Sequence, residues 1–276
     1  LRFYKEETMA DIGFAKELSG LADIYINDAY GTTHREHAST ATIAQFFGEK
    51  VPGMLLEKEI KSLKKLMDKP KKPVTAIIGG AKVSSKISVI ANILGFVDNL
   101  IIGGGMAYTF IKNNGGRIGD SIFEADRLND CTEILSKAKN ENVNVFLPED
   151  ILCSNEFSNS GLQKVTNISE VPEGWQGLDI GPKTMEKFEQ VILASSTILW
   201  NGPMGVFEIP SFEKGTRVVA KTVAKATQSG AYSLIGGGDS VAAIKKFGLQ
   251  NQVSFISTGG GAMLESLEGK LLPGIK

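Results

Sequence analysis

Cysteine and histidine are scarce in this chain, which contains two residues of each type among its 276 residues. The cysteines, Cys131 and Cys153, are too few for a disulfide framework and do not form a C-x-x-C pair. Two Cys and two His also make a structural zinc site unfavourable. The sequence therefore argues against a small disulfide-stapled fold and against a zinc-stabilised domain.

Long apolar runs and an excess of charge of one sign are also missing. No run reaches the roughly 18 residues of a membrane span, and the opening LRFYKEETMADI has no signal-peptide core. The 30 Lys and Arg residues nearly balance the 31 Asp and Glu residues, so the net charge is −1. Nothing in the charge indicates nucleic acid or an anionic membrane as a partner, and the composition favours a cytoplasmic enzyme or binding protein.

Glycine is abundant instead, and many of the 31 glycines stand in clusters directly behind short apolar runs. Such runs, bounded by Gly or Pro, predict buried strands. The six predicted strands are Val74–Ile78, Leu100–Ile102, Val143–Leu147, Thr197–Trp200, Ser233–Ile235 and Val253–Ser257. Helical patterns occupy Lys82–Leu94, Glu124–Glu141, Phe212–Gln228 and Ser240–Phe247. This alternation is typical of a parallel α/β sheet, in which ligands bind beyond the carboxyl ends of the strands.

The sequence before these elements predicts a separate, smaller region. Glu57–Asp68 predicts a charged helix, and the following KPKKP, with two prolines, predicts a hinge near residue 70. Leu21–Asn27 predicts one further strand. The first region is thin for an independent core.

Charged residues beside the glycine clusters are candidates for binding a phosphorylated ligand. Lys82 and Lys86 follow Gly79-Gly80, and at a predicted helix start they would share one face. Asp239 follows three glycines and suits Mg²⁺, with a helix N-cap as the alternative. Glu208 could accept hydrogen bonds from ribose hydroxyls. For Lys82, Lys86 and Glu208, simple solvation stays open as an alternative.

Two common nucleotide-binding fingerprints are absent. No G-x-x-x-x-G-K-[ST] and no G-x-G-x-x-G occurs at a glycine cluster, which weighs against a P-loop ATPase and a nicotinamide dehydrogenase. Both histidines, His34 and His37, lie with Arg35 behind the predicted strand of the first region, and Arg2 can join them. This group indicates an anion site, unless the histidines are satisfied by local backbone.

Taken together, these segments resemble the phosphoglycerate kinase family. The resemblance runs in order from Leu1 to Ile275 through LRFYKEE, INDAYGTTHREHAST, IIGGAKVSSKI, NLIIGGGMAYTFIK, GLDIGPKT, LWNGPMGVFE, LIGGGDSVAA and ISTGGGAMLESLEGKLLPGI. It implies an α/β protein with two Rossmann-like domains, each with a parallel sheet, joined by a helix hinge. Because members of the family begin well before Leu1, we expect a fragment whose first domain is incomplete.

The resemblance also implies a reaction and a division of the chain. The reaction is reversible phosphoryl transfer between 1,3-bisphosphoglycerate and ADP, giving 3-phosphoglycerate and ATP with Mg²⁺. Residues 1–56 are expected to be the remaining part of the N-terminal 3-phosphoglycerate-binding domain, 57–72 the interdomain helix and hinge, 73–258 the nucleotide-binding domain, and 259–276 a segment returning toward the N-terminal domain. We expect a cytoplasmic monomer without a nucleic-acid or membrane partner. The alternative is a truncated nucleotide-binding module without turnover.

Residue roles follow from the resemblance, position by position. Catalytic roles fall on Arg35, Lys82, Lys86 and Gly260. Binding of 3-phosphoglycerate falls on Arg2, His34 and Arg35. Nucleotide binding falls on Lys82, Lys86, Gly103, Gly104, Gly177, Leu178, Asn201, Pro203, Val206, Glu208, Gly237, Gly238, Asp239 and Ser240. Asp239 is in addition the expected Mg²⁺ ligand.

Overall fold

The computed structural model describes all 276 residues, which form two compact units. The first unit contains Leu1–Asp68 and Ser257–Lys276, and the second unit contains Lys69–Ile256. The long charged helix before the Lys/Pro segment thus belongs to the first unit. The functions expected for these parts of the chain stay predictions.

Helices and strands alternate along most of the chain. The helices are α1 (Lys5–Thr8), α2 (Ile12–Ser19), α3 (Met54–Met67), α4 (Ile87–Ile93), α5 (Ala107–Asn113), α6 (Leu128–Asn140), α7 (Pro182–Leu193), α8 (Lys214–Gln228), α9 (Gly238–Lys246) and α10 (Gly260–Leu267). The strands are β1 (Tyr25–Asn27), β2 (Lys50–Pro52), β3 (Val74–Ile78), β4 (Asn99–Ile102), β5 (Arg117–Ile118), β6 (Asn144–Phe146), β7 (Asp150–Ser154), β8 (Gln163–Asn167), β9 (Glu170–Val171), β10 (Gln176–Ile180), β11 (Thr197–Asn201), β12 (Tyr232–Ile235) and β13 (Phe255–Ile256).

A six-stranded parallel sheet forms the centre of the second unit, in the spatial order β13-β12-β11-β3-β4-β6. Every residue of β3 and β11, the two middle strands, is buried. A parallel strand covered on both faces is an uninterrupted apolar run, which is why these strands are visible in the sequence. All six strands of this sheet are those predicted from the apolar runs, and the parallel α/β fold is confirmed.

Two smaller sheets of the second unit were not predicted. The strands β10, β7 and β8 form an antiparallel sheet, and β5 pairs with β9. The sequence of β8, QKVTN, is mostly polar, and its residues alternate between exposed and half-buried. Such a strand carries no apolar run, so the pattern used for the large sheet does not detect it.

The helix predicted to begin at Lys82 begins only at Ile87. The Glu124 carboxylate accepts hydrogen bonds from the backbone N–H (2.9 Å) and hydroxyl (2.6 Å) of Ser84, and this holds the preceding segment as a turn. Lys86 has φ −127° and ψ −9°, outside the helix. The expectation that Lys82 and Lys86 share a helix face is therefore wrong.

The first unit contains one parallel pair of strands, β1 and β2, with α1, α2, α3 and α10. The strand predicted over Leu21–Asn27 is limited to Tyr25–Asn27, because β2 offers it only three partners. Leu21 lies outside the strand with 82% of its surface exposed. The predicted charged helix is present as α3 and begins three residues earlier than expected, at Met54. None of the helices in the chain combines the length and the apolar character needed to span a bilayer.

Candidate functional site

A cavity of about 400 Å³ opens beyond the carboxyl ends of the middle strands of the second unit. The residues that follow β3, β4, β11 and β12 each contribute to its lining, through Gly80, Gly104, Pro203 and Asp239 respectively. The glycine clusters of the sequence thus converge on one place.

Gly79, which directly follows β3, is needed for close packing of the backbone. The N–H of Gly79 donates to the Asn201 carbonyl at 2.9 Å, and a methyl group on Gly79 would lie 2.2 Å from the Pro203 carbonyl oxygen. Only a residue without a side chain lets the two strand ends approach so closely.

Half of the predicted nucleotide-binding residues line this cavity. They are Gly104, Gly177, Leu178, Pro203, Val206, Glu208 and Asp239. The other seven do not line it; they are Lys82, Lys86, Gly103, Asn201, Gly237, Gly238 and Ser240. Several of this second group have structural contacts just behind the cavity wall.

Asn201 and Ser240 join the ends of two adjacent strands. The Asn201 side-chain amide donates to the Gly236 carbonyl at 3.0 Å, and the Gly202 N–H donates to the Ser240 hydroxyl. Both side chains are buried. In this structure they brace the turns after β11 and β12.

Gly103 and Gly237 allow close packing in the same region. Gly103 is buried, and a methyl group there would lie 2.4 Å from the Met204 sulfur. Gly237 has φ +87°, and a methyl group on it would lie 2.8 Å from the Asn201 amide nitrogen. Gly238, the first residue of α9, has open space around it.

The two lysines differ in their surroundings. The Lys86 ammonium is half-buried and donates to the Asn201 side-chain oxygen. Burial lowers the pKa of Lys86 below its ordinary value, and the charge of Asp239 offsets part of that shift. Lys82 is exposed, and its charge acts on Glu124 instead. The structure therefore brings Lys86, and not Lys82, next to the cavity.

Asp239 lies exposed at the second position of α9 and on the cavity wall. Gly237 occupies the N-cap position, and no side chain caps this helix, so Asp239 is not an N-cap. No group of three or more His, Cys, Asp or Glu side chains is arranged to hold a metal ion. A single carboxylate fits an Mg²⁺ that takes most of its ligands from phosphates and water, as Mg²⁺ commonly does.

Much of the cavity lining is apolar, and the sequence analysis did not identify these residues. Its side chains come largely from the segment between β4 and β9; they are Tyr108, Ile122, Pro148, Ile151, Phe157 and Ile168. A methyl group on Gly177 would lie 1.8 Å from the Tyr108 hydroxyl, so glycine is required there for the tyrosine to pack. A mostly apolar lining with a few polar groups is typical of a small-molecule site.

Asp179 also lines the cavity and was not predicted. Its side chain is almost fully buried, and its two oxygens accept hydrogen bonds from the N–H groups of Gly215 (2.7 Å) and Ile180 (2.9 Å). Burial raises the pKa of Asp179 to about 7, although these two hydrogen bonds and the Lys214 charge act against the shift. Its sequence neighbours are apolar, so only its charge in a strand could have marked it.

A second cavity, of about 510 Å³, lies in the first unit and has a charged lining. Arg2 and Arg35, two of the residues expected at an anion site, line it together with His37. His34 does not line it. The His34 Nε2 atom accepts a hydrogen bond of 3.4 Å from the Arg35 side chain, and its Nδ1 atom is buried without a partner.

Glu7 also lines this cavity, and the sequence analysis did not identify it as a candidate site residue. It is buried, and its carboxylate accepts hydrogen bonds from the Ser39 N–H (3.0 Å) and hydroxyl (2.6 Å). The His37 Nδ1 atom lies 3.9 Å from the same carboxylate. Glu7 therefore fixes the segment that carries His37 beside the two arginines.

Gly260, the predicted catalytic glycine, is the first residue of α10 and lines neither cavity. Its neighbours are tightly packed: a methyl group on Gly261 would lie 3.2 Å from His34 Nε2, and one on Gly259 would lie 2.6 Å from the Tyr30 ring. The approach to the helix is held by Glu59, whose Oε1 accepts from the Thr258 N–H at 2.6 Å.

The fold and the cavity define a parallel α/β protein with a small-molecule site at the carboxyl edge of its sheet. The chain belongs to the phosphoglycerate kinase family, because the family model described as "Phosphoglycerate kinase" matches residues 1–270. The resemblance seen in the sequence is thereby confirmed.

Individual relatives agree with this assignment. The chain is 52% identical over 264 residues to a phosphoglycerate kinase of Porphyromonas gingivalis, a match that covers 95% of this chain and 63% of that protein. It is similar to the structure of phosphoglycerate kinase from Coxiella burnetii, with a TM-score of 0.94, 43% identity, and coverage of 100% of this chain and 70% of the other. The corresponding structure from Pyrococcus horikoshii gives a TM-score of 0.84 and 30% identity over 99% of this chain and 70% of the other. The chain thus spans less than two thirds of its curated relative.

Proposed function

We propose that this chain is a phosphoglycerate kinase that transfers a phosphoryl group reversibly between 1,3-bisphosphoglycerate and ADP, giving 3-phosphoglycerate and ATP. The observation that carries the proposal is the cavity of the second unit, which is lined by apolar side chains together with Glu208 and Asp239, and Lys86 lies close enough to feel the charge of Asp239. The reaction belongs to glycolysis, and we propose that the protein performs it in the cytoplasm as a monomer.

The nucleotide is proposed to lie across the cavity. Its flat base suits the apolar wall around Ile151 and Tyr108, and Glu208 suits the ribose hydroxyls. The phosphates then lie toward Asp239 and Lys86, where an ammonium group is available. An Mg²⁺ bound with the nucleotide at Asp239 would neutralise phosphate charge.

The charged cavity of the first unit is proposed to bind the acid. Arg2, Arg35 and His37 supply donors for phosphate and carboxylate groups, and His34 supports Arg35. A carboxylate acceptor has a pKa of roughly 4 and is ionised at neutral pH, so no general base is needed. The protein then contributes positioning and charge stabilisation, through Arg35, Lys86 and the backbone at Gly260.

A nucleotide-binding module without turnover is the second candidate. It is favoured by the first unit, whose charged cavity is lined by β1, a strand of three residues that pairs only with the fully exposed β2. Such a scaffold would hold the acid less firmly than the second unit holds the nucleotide.

Two measurements on the purified chain separate these functions. Calorimetric titration with MgADP and with NAD tests the nucleotide site, and a coupled assay of ATP formation from 1,3-bisphosphoglycerate tests transfer. Binding of MgADP with ATP formation supports the kinase, and binding without ATP formation supports the module. Binding of NAD in place of MgADP would contradict both and favour a dehydrogenase.

A further inference from the structure

One wall of the nucleotide cavity is the loop of residues 203–209, which carries Val206 and Glu208. The loop is held at three points. The Val206 N–H donates to the Leu178 carbonyl at 2.8 Å, the Met204 N–H donates to the Thr216 hydroxyl at 3.0 Å, and the Lys246 ammonium donates to the Phe207 carbonyl at 2.6 Å. Two of these contacts reach β10 and the first turn of α8.

Asp179 lies where the loop, β10 and α8 meet. It is 2% exposed, and its Oδ2 atom accepts the N–H of Gly215, the second residue of α8, at 2.7 Å. Its Oδ1 atom accepts the Ile180 N–H at 2.9 Å. The carboxylate thus ties the start of α8 to the strand.

Two glycines from different segments pack closely against the Asp179 carboxylate. A methyl group on Gly205, in the loop, would lie 2.2 Å from Oδ1, and one on Gly215 would lie 2.3 Å from it. The backbones of the loop and of the helix therefore both rest directly on Asp179. A side chain of another length or shape at this position would displace the loop, the helix or both.

We propose that Asp179 is a positioning residue for the nucleotide, which sets the loop of residues 203–209 so that Val206 and Glu208 face the ligand. The proposal rests on nucleotide binding in this cavity as proposed above. Asp179 acts through the loop and the start of α8.

The charge state of Asp179 gives this role a pH dependence. Burial raises its pKa to about 7, and Lys214 on α8 favours the ionised form. Tyr108 on α5 faces the carboxylate, and Glu208 and Asp239 line the same cavity. A protonated carboxyl group carries a hydrogen on one oxygen and serves two backbone donors less well than a carboxylate does. Nucleotide affinity is therefore expected to fall as the pH drops through about 7.

The experiment is calorimetric titration of ADP, without Mg²⁺, into wild type and Asp179→Asn. We expect the Asn variant to bind ADP about tenfold more weakly above neutral pH, because a hydrogen bond to a charged group is lost. ADP phosphates titrate in the same range, so the wild-type pH profile is compared with that of the variant. The component with a midpoint near pH 7 is expected in wild type and absent from Asp179→Asn.

Asp150→Asn is the matched control. Asp150 is likewise buried and accepts backbone N–H groups at a helix start, those of Lys183 (3.1 Å) and Thr184 (2.8 Å) on α7, but it does not line the cavity. Its variant should lose stability and keep the wild-type ADP affinity and pH profile. Equal losses of ADP affinity in both variants would assign Asp179 to general stability and overturn the proposal.

Gly215→Ala tests the same contact if Asp179→Asn does not fold. Gly215 does not line the cavity, so weaker ADP binding by a folded Ala variant would support positioning through Asp179. Unchanged ADP affinity in Asp179→Asn, or in a folded Gly215→Ala, would overturn the role of Asp179 and leave the proposed function standing. Failure of the wild-type chain to bind ADP would overturn the proposed function and this role with it.

Discussion

The two units of the chain support their cavities in different ways. In the second unit, the cavity lies at the end of a six-stranded sheet whose two middle strands are completely buried. In the first unit, the sheet has two strands of three residues each, and all of β2 is exposed. The comparison teaches that a cavity can be supported by a broad apolar core or by local polar contacts such as those of Glu7.

The residues that line the two cavities also differ in character. The cavity of the second unit is mostly apolar with a few charged residues, whereas that of the first unit gathers Arg2, Arg35, His37 and Glu7. We therefore expect binding in the first unit to depend on charge, and binding in the second to depend on shape as well.

The largest effect is expected from a cavity made in the core of the second unit. Phe188 is fully buried in the cluster around Trp200, and Phe188→Ala should lower the free energy of unfolding by about 3–5 kcal/mol. Ile26, in β1 of the first unit, is 59% exposed, and Ile26→Ala should change the free energy of unfolding by about 0.5 kcal/mol or less. Denaturant unfolding followed by circular dichroism compares the two. Similar losses would remove the contrast between the units.

The second effect sharpens the comparison within the second unit. Lys86→Ala removes a half-buried ammonium next to Asn201 and Asp239 and should weaken ADP binding by more than about tenfold. Lys82→Ala is the matched variant, and because Lys82 is exposed we expect a much smaller loss. ADP titrations of both variants in the same buffer provide the measurement. A larger effect at Lys82 would show that the turn before α4 rearranges when nucleotide binds.

The third effect tests whether the two cavities are chemically independent. Asp239→Asn should weaken MgADP by about tenfold while leaving metal-free ADP nearly unchanged, because the carboxylate is proposed to bind the cation. Arg35→Ala should leave both titrations unchanged and weaken 3-phosphoglycerate binding instead. If Asp239→Asn weakened ADP equally with and without Mg²⁺, its role would not be metal binding.

The smallest effect is expected at Asp98, whose carboxylate accepts a hydrogen bond from Val74, the first residue of β3. Burial raises the pKa of Asp98, but the Val74 N–H and Lys72 lower it more, so the pKa lies below its ordinary value. The stabilisation is present above the unfolded pKa of roughly 4 and is lost as the pH falls through the folded value. Asp98→Asn should therefore lower the free energy of unfolding by about 1 kcal/mol at neutral pH and by less in acid.

Acid and neutral unfolding curves check this prediction for Asp98. Asp126→Asn is the control, because its carboxylate pairs with Arg127 while 74% exposed and should contribute little. If the loss of stability in Asp98→Asn were as large in acid as at neutral pH, the contacts of Asp98 would not depend on its negative charge.

What the sequence predicted, and what it missed, depends on how far apart the interacting residues are. Runs such as Val74–Ile78 predict their own burial, so the large sheet was found. The turn before α4 was not, because it depends on the contact of Ser84 with Glu124, forty residues away. Asp179 was missed for the same reason, since the glycines that press on it, Gly205 and Gly215, come from other segments. Asp239 and Glu208 are candidates from the sequence because they stand near glycine-rich turns, whereas the packing roles of Gly103 and Ser240 depend on contacts with distant segments.

The close approach of Gly79 to Pro203 has a consequence for mutational scanning. A selection that reads only protein abundance should reject side chains at positions 79 and 177 as firmly as one that reads growth, since each would collide with neighbouring backbone or with the buried Tyr108 ring. Intolerance at those glycines therefore carries no information about catalysis. Gly238, which has open space around it, is the informative position: a substitution there that spares abundance but abolishes growth would report on the ligand itself.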